Sequence, residues 1–342
     1  MDLIGVCSAE KNLQAEKYLE EFLAAGLHGE MKYLENPAMR TDPQQLLPGA
    51  QSVIVIAINY YREKPETPPD HGRVARYAWG RDYHKVLRKI LKQLQKFLES
   101  RWPDHQHRIC VDSAPLLEKA FAEQAGIGFY GKNTTLISQE FGSYILLGEI
   151  ITTLPITPDP KRAGTCGSCT RCITACPTQA LTAPGRMDAR RCISYLTLES
   201  RSAIPEEFSE ATGNLIAGCD ICQEVCPYNK SFGKPLAHPD LATTEIAGDS
   251  IALTGILSLR SDEDYLARFA GSPLMRPKRR GLIRNALNAA GNAIHTDSDK
   301  YGPMLIPLIT QIAHEDSDPS LRVIAADLLS TINNPSASSP TR

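Results

Sequence analysis

The sequence predicts a multidomain α+β protein, and three observations support this prediction. The chain has 342 residues, which is longer than most single domains. In its first half, segments with helical periodicity alternate with short β-branched runs, whereas its C-terminal part is helical in pattern almost throughout. Between these parts lies a segment that contains eight of the ten cysteines. We therefore expect an α+β domain, a cysteine-rich module and a helical domain.

The first of these domains is predicted over residues 1–155. Residues 11–25 have helical periodicity and end at a glycine, which is a common helix C-cap. Residues 52–58 form an apolar, largely β-branched run that is typical of a buried strand. Residues 83–99 carry apolar side chains at the spacing of an amphipathic helix. Together these patterns indicate helices packed on a sheet.

The cysteine-rich segment has the spacing that binds cubane iron–sulfur clusters. Residues 166–177 read C-x2-C-x2-C-x3-C-P, and residues 219–227 read C-x2-C-x3-C-P with Cys192 upstream as a replacement for the missing first cysteine. In two-cluster ferredoxins the cysteine before the proline ligates the other cluster. This rule predicts two [4Fe–4S] clusters, one held by Cys166, Cys169, Cys172 and Cys226 and the other by Cys176, Cys192, Cys219 and Cys222.

Zinc binding and disulfide bonds are the two alternatives to clusters for these cysteines. Paired C-x2-C knuckles also bind zinc, but zinc needs only four ligands per site and does not explain two C-x3-C-P endings. A disulfide framework is not expected in a chain of this size without a secretory leader. Cys7 and Cys110 lie outside the pattern, and we expect them to be ordinary buried thiols.

Three motifs of the first domain allow both a functional and a structural interpretation. Asp112 lies at a predicted strand-to-helix turn, where a carboxyl can donate a proton or accept backbone N–H bonds. The spacing of the residues around Asp112, taken alone, favours the second, structural role. The glycine-rich residues 126–134 suit close approach to a flat cofactor or to phosphate, or a tight turn. Residues 76–84 mix aromatic, arginine and histidine side chains that could stack on a polar ring or form a solvated helix start.

The C-terminal region shows a weak internal repeat. Residues 282–287 and 321–326 share a basic, aliphatic and alanine-rich texture, and Arg284 and Arg322 are 38 residues apart, near the HEAT repeat period. HEAT-like repeats or an unrelated helical bundle would explain it. The Ser/Pro-rich end of the chain is expected to be disordered. A basic cluster either binds phosphates or is a solvated face; it comprises Arg276, Lys278, Arg279, Arg280 and Arg284.

Composition indicates which partners and which cellular compartment to expect. The net charge is −2, so only a local basic patch would bind nucleic acid. No apolar stretch reaches the length of a membrane span, and no secretory signal is evident. Many thiols without a leader are typical of a reducing compartment, so a cytoplasmic location without membrane attachment is expected.

Four segments together resemble the epoxyqueuosine reductases, enzymes that complete the queuosine modification of tRNA. They are residues 75–89, residues 112–134, the cysteine-rich segment and residues 276–287. The resemblance implies a nitroreductase-like cobalamin-binding domain over 1–155 and a two-cluster ferredoxin-like domain over 156–237. It further implies a HEAT-like tRNA-docking domain over 238–334, followed by a disordered tail over 335–342.

The resemblance also implies an activity and its residues. The expected reaction reduces epoxyqueuosine to queuosine in the anticodon loop of tRNA, with electrons passing through both clusters to cobalamin. Asp112 is the implied proton donor. The implied cobalamin contacts are Asp112, Lys132, Asn133 and Thr134. The basic cluster would hold the tRNA backbone, and the resemblance suggests a monomer that receives electrons from an unidentified donor.

Two rival functions remain open on the sequence. Reductive dehalogenases share the cobalamin and ferredoxin plan, but they typically carry a twin-arginine leader and lack a basic helical repeat. A non-enzymatic electron carrier would use the two clusters alone, and it would bind neither a corrin nor tRNA. A cobalamin signal in protein purified without oxygen would distinguish the enzyme from the carrier.

Overall fold

The computed structural model describes residues 1–232, 238–243 and 246–334, and the chain divides into two compact units. The first unit contains residues 1–63, 81–190 and 220–242, and the second contains residues 64–80, 191–219 and 243–342. The three predicted domains are consecutive segments rather than compact units, and their boundaries stay a prediction. The predicted disordered tail, 335–342, lies outside the described residues.

An antiparallel sheet of four strands organises the first unit. Its strands lie in the order β1 (Leu3–Ser8), β2 (Ser52–Asn59), β7 (Ile145–Thr152) and β4 (His107–Cys110). β2 and β7 are buried along their whole length, so the predicted buried strand at 52–58 is confirmed. In their register Ile54 lies opposite Ile150. A separate two-stranded hairpin completes the strands of this unit, which are β1 (Leu3–Ser8), β2 (Ser52–Asn59), β4 (His107–Cys110), β5 (Phe129–Tyr130), β6 (Leu136–Ile137) and β7 (Ile145–Thr152).

Helices cover both faces of this sheet. The longest of them, predicted over 83–99, is confirmed; its N-cap Asp82 accepts the His84 N–H, and Leu87 and Leu91 are buried. On the opposite face, Phe121 packs into a cluster with Val53. The helices of the first unit are α1 (Leu13–Ala24), α2 (Pro37–Thr41), α3 (Tyr83–Arg101), α4 (Glu118–Gln124), α5 (Arg171–Ala175), α8 (Ile221–Glu224), α9 (Pro227–Phe232) and α10 (Pro239–Ala242).

The second unit combines a small sheet with a helical array. β3 (His71–Val74) lies between β8 (Leu215–Ala217), to which it is parallel, and β9 (Ser250–Ala252), to which it is antiparallel. This sheet was not predicted, because its strands come from three distant parts of the chain. The helices are α6 (Ile193–Leu198), α7 (Glu206–Thr212), α11 (Leu253–Leu257), α12 (Asp262–Phe269), α13 (Lys278–Thr296), α14 (Ser298–Glu315) and α15 (Pro319–Asn333).

The last three helices pack against one another around α13, most of whose residues are buried. Arg284 lies on α13 and Arg322 on α15, with α14 between them. The HEAT-like character of this array stays a prediction. Among the described residues, none of the helices combines the length and apolarity needed to cross a bilayer.

Two of the predicted phosphate-binding arginines are buried inside the second unit. The Arg279 guanidinium forms an ion pair with Asp316, with Nη1 3.2 Å from Oδ1, and donates to the Leu259 carbonyl. Arg284 donates to the carbonyl oxygens of Leu196, Ser200 and Ser202 at 2.5–2.7 Å. The basic cluster therefore divides into two structural arginines and three exposed side chains, Arg276, Lys278 and Arg280.

We expect Arg279→Ala to lower the free energy of unfolding by about 3–5 kcal/mol, because it leaves the fully buried Asp316 carboxylate without its partner. Chemical denaturation of the holoprotein would measure this loss. The matched control is Arg280→Ala, whose ion pair with Asp318 is half-exposed and should contribute less than about 1 kcal/mol. Equal losses in the two variants would contradict the structural role of Arg279.

Candidate functional site

Four cysteines line a single cavity of about 410 Å³ in the first unit. Cys166 and Cys169 lie in the turn before α5, Cys172 lies in α5, and Cys226 directly precedes α9. α5 packs against α8, which brings the two distant cysteine segments together. The structure thus gathers the predicted ligands of the first cluster around one space. Among the residues described, no three His, Cys, Asp or Glu side chains, the cavity cysteines included, lie close enough together to hold one metal ion.

The loop between β5 and β6 forms another part of this cavity wall. Lys132 and Asn133, predicted as cobalamin contacts, both line it. The Lys132 backbone N–H donates to Cys166 Sγ at 3.4 Å, and Lys132 Nζ donates to the Gly167 carbonyl at 2.7 Å. Thr134 has a φ of 64° and its N–H donates to the Gly131 carbonyl, which closes the turn. Lys132 and Asn133 therefore belong to the wall of the cysteine cavity, and their role as cobalamin contacts stays a prediction.

The predicted ligands of the second cluster are divided between the two units. Cys176 and Cys222 belong to the first unit, and Cys176 Sγ accepts the Ala180 N–H at 3.3 Å. Cys192 and Cys219 belong to the second unit, where Cys192 is the residue before α6. The second ligand set stays a prediction.

The two remaining cysteines are buried in the first unit. Cys7 and Cys110 are at most 3% exposed. Burial, reinforced by the nearby Glu149 carboxyl, raises the pKa of each thiol to about 12. A thiol with so high a pKa stays protonated at neutral pH and is a poor metal ligand. This agrees with their expected role as ordinary core side chains.

A carboxylate–imidazole–carboxylate array lies at the start of α3. His84 Nδ1 is 2.6 Å from Asp82 Oδ1, and His84 Nε2 is 2.8 Å from Asp112 Oδ2. Burial opposes charging of the ring, but the hydrogen bonds to Asp112 and Asp82 outweigh it and raise the pKa of His84 to about 9. The ring is therefore an imidazolium at neutral pH, and a proton lies between His84 and Asp112.

The Asp112 loop is held in a strained conformation. Asp112 has a φ of 43°, in the left-handed region that non-glycine residues rarely adopt. Its backbone N–H donates to Glu118 Oε1, and Glu118 meets Glu149, which is fully buried on β7. Burial and the Asp112 charge raise the pKa of Glu118 to about 7, and burial raises that of Glu149 further. Both Glu149 oxygens are buried without a hydrogen-bond partner among the described groups, which favours the protonated form of this carboxyl.

Sequence reasoning found Asp112 but missed its partners. His84 and Asp82 lie in the segment 76–84, which could either stack on a polar ring or form a solvated helix start. The sequence spacing between this segment and Asp112 does not indicate that they are partners. Glu118 and Glu149 were not considered. The signal for Glu149 was present, because it is the single charged residue within the apolar strand Ile145–Thr152. A charge in a strand buried on both faces indicates a functional or paired group.

The cysteine cavity and its ligand spacing are those of one class of protein, an iron–sulfur oxidoreductase. Residues 40–113 match the family model described as "Epoxyqueuosine reductase QueG, DUF1730", and residues 165–229 match the "4Fe-4S double cluster binding domain". The chain is 42% identical to the epoxyqueuosine reductase of a Synechocystis species, over 83% of this chain and 98% of that protein. It is 39% identical to that of Pseudomonas aeruginosa, over 93% of this chain and 86% of that protein.

A solved structure of epoxyqueuosine reductase with a tRNA-Tyr epoxyqueuosine-modified stem loop is similar throughout. It has a TM-score of 0.87 and 35% identity, covering 98% of this chain and 87% of that chain. The chain belongs to the epoxyqueuosine reductase family. This confirms the predicted mixed fold, the oxidoreductase activity and the cofactor set of the family, two [4Fe–4S] clusters and cobalamin.

We expect Asp112→Asn to lower the pKa of His84 from about 9 towards the ordinary value of 6.5, because one of its two carboxylate partners is lost. An NMR titration would measure this pKa from the imidazole resonance of His84. That resonance is assigned by its absence from the spectrum of His84→Gln. The control is Asp104→Asn, which removes an exposed carboxylate beyond the far end of α3. An unchanged His84 titration in Asp112→Asn would contradict the array.

Proposed function

We propose that this chain reduces epoxyqueuosine in the anticodon loop of tRNA to queuosine, with the His84–Asp112 pair as the proton source. The observation that carries the proposal is that one compact unit contains both the four-cysteine cavity and the carboxylate–imidazole–carboxylate array. Reduction of the epoxide to an alkene consumes two electrons and two protons and releases the oxygen as water. The reaction therefore needs an electron source and a proton source side by side.

The cysteine cavity is the proposed site of the first [4Fe–4S] cluster. Its four thiols come from two segments in the crossed arrangement of two-cluster ferredoxins, three from one loop and one from the cysteine before a proline. Cys176, Cys192, Cys219 and Cys222 are the proposed ligands of the second cluster. The clusters supply one-electron transfer from a separate donor, which stays unidentified.

Cobalamin is proposed to bind at the side of the first unit where Asp112 is accessible. The fit of the four predicted contacts is partial: Lys132 and Asn133 line the cysteine cavity, whereas the Asp112 side chain is 54% exposed and Thr134 is half-buried. Asp112 and Thr134 are therefore the residues that would contact the corrin. When bound, cobalamin supplies a reducible cobalt centre at which the electrons reach the substrate.

The proton would be stored on a hydrogen-bonded pair rather than on a shielded carboxyl. The Asp112 side chain is half-exposed and bonded to His84, so burial alone would not hold a proton on it. We propose that Asp112 relays this proton: it passes from His84 Nε2 to Asp112 Oδ2, and Asp112 then delivers it to the epoxide oxygen, while solvent supplies the second proton that completes the water. Asp82 would hold the ring through Nδ1 and balance its charge before transfer.

The tRNA backbone is proposed to contact the exposed members of the basic cluster. Arg276, Lys278 and Arg280 are exposed on the second unit. Arg276 forms a bidentate ion pair with Glu199, with nitrogen–oxygen distances of 2.8 and 2.6 Å, and this pair would have to open or be shared with a phosphate. The substrate base must be splayed out of its loop to reach an enzyme pocket. We propose that the protein works as a monomer in the cytoplasm.

We expect Asp112→Asn to retain both clusters and cobalamin but to lose turnover by about 10²–10⁴-fold, the usual contribution of a general acid. Turnover of the normal enzyme should fall as pH rises through about 9, because the His84–Asp112 pair then loses its proton. Single-turnover assays with modified tRNA stem loop would measure both effects. Unchanged turnover in Asp112→Asn, with iron and cobalt contents equal to those of the normal protein, would remove its acid role.

Cys226→Ala should reduce the iron content from about eight to about four atoms per chain, because it removes one proposed ligand of the first cluster. Cys192→Ala should have the same effect through the second cluster. Iron and sulfide analysis of protein prepared without oxygen would count the atoms. Cys110→Ala is the matched control, since this buried thiol belongs to neither proposed ligand set. Full iron content in Cys226→Ala would refute the first ligand set.

Replacing Arg276, Lys278 and Arg280 together by glutamine should weaken stem-loop binding and reduce the slope of log K against log salt by about 2–3, roughly one for each lost phosphate contact. Binding titrations at several salt concentrations would measure the slope. Lys89, Lys92 and Lys96 are exposed on α3 and provide a charge-matched control. Equal effects in both triple variants would indicate general charge rather than a specific contact.

A further inference from the structure

Asn133 has a buried amide whose donor group lacks a partner in the described part of the protein. The residue is 4% exposed and lines the four-cysteine cavity. Its Nδ2 makes no hydrogen bond with any described group. Buried side-chain donors are almost always satisfied, so an unsatisfied one beside a cavity indicates a bonding partner within that cavity.

The orientation of this amide is fixed by its neighbours. Asn133 Oδ1 accepts the Thr135 hydroxyl at 2.8 Å and the Thr135 backbone N–H at 3.3 Å. A backbone N–H can only donate, so the atom it meets must be the amide oxygen and the free atom must be the NH2 nitrogen. The left-handed Thr134 and the bond from its N–H to the Gly131 carbonyl hold the turn that carries Asn133. The donor is thus preorganised.

We infer that Asn133 Nδ2 donates a hydrogen bond to a sulfur of the first [4Fe–4S] cluster and raises its reduction potential. This inference rests on the proposed assignment of Cys166, Cys169, Cys172 and Cys226 to that cluster. Lys132 supports it on the same turn, because its backbone N–H already donates to Cys166 Sγ. The turn therefore serves the cluster as a pair of N–H donors. Asn133 acts as a positioning and tuning residue rather than a cluster ligand.

The direction of the effect follows from charge. Reduction adds an electron to the cluster, and part of that negative charge resides on its sulfurs. An N–H dipole aimed at a sulfur stabilises the reduced form more than the oxidised form, so the potential rises. The Asn133 side chain is buried, which strengthens such a bond relative to one in water. Removing the donor should therefore favour the oxidised cluster and leave the other cluster unaffected.

The test is a redox titration followed by electron paramagnetic resonance on the anaerobic holoenzyme. Asn133→Asp keeps the shape of the side chain but replaces its donor with an acceptor that is charged when ionised, and Asn133→Leu removes the donor without adding a charge. Each should lower one of the two midpoint potentials, Asn133→Leu by about tenfold in the one-electron equilibrium constant, or about 59 mV, and Asn133→Asp by more. The control is Thr178→Val, a change beside Cys176 Sγ in the second ligand set. It should leave the midpoint potential of the first cluster unchanged.

Failure of the inference and failure of the proposed function give different results. Full iron content with both potentials unchanged, or with both shifted equally, would overturn the role of Asn133 and leave the cluster assignment intact. Full iron content in Cys226→Ala would instead overturn the assignment. If the Asn133 variants lose iron, the hydrogen bond is tested instead in normal protein labelled with ¹⁵N in its asparagine side chains. A ¹⁵N hyperfine coupling to a reduced cluster is expected, and its absence would overturn the inference.

Discussion

Two loops of the first unit depend on the first turn of α4. Glu118 accepts the backbone N–H of Asp112, and Lys119 Nζ donates to the Thr134 carbonyl at 2.9 Å. Phe121, less than two turns further along α4, is fully buried against the sheet. Because one buried helix contacts both loops, Asp112 and the turn at the cysteine cavity are held in fixed positions within the same unit. Chemistry that needs an electron and a proton at one substrate requires such a common anchor.

The two strained residues of these loops are held by that anchor. Asp112 and Thr134 both have positive φ values, 43° and 64°, which cost energy for residues other than glycine. Such conformations persist only when surrounding contacts determine them. The restraint on Asp112 is the Glu118 carboxyl, which accepts the Asp112 backbone N–H and whose pKa is raised to about 7 by burial and by the Asp112 charge.

The sequence was informative wherever local spacing determines chemistry. The cysteine spacing predicted the four side chains that line the cavity, because three ligands of a cubane must come from one short loop. Hydrophobic periodicity likewise predicted β2 and α3. Spacing could not predict the partners of Asp112, since His84 is 28 residues away and the two meet only when the sheet and α3 are assembled. Nor could it predict β3, β8 and β9, which pair across the chain.

The basic cluster shows that a run of positive charges in the sequence need not form a single binding surface. Five positive charges within nine residues suggest one binding face, yet successive residues of a helix point in different directions. Arg279 and Arg284 turn into the second unit, where Asp316 and three carbonyl oxygens satisfy their guanidinium groups. A buried arginine bonded in this way cannot release its partners to bind a phosphate without leaving charge or carbonyls unsatisfied. Affinity for tRNA would therefore depend on the exposed residues, while the buried arginines fix the helix that presents them.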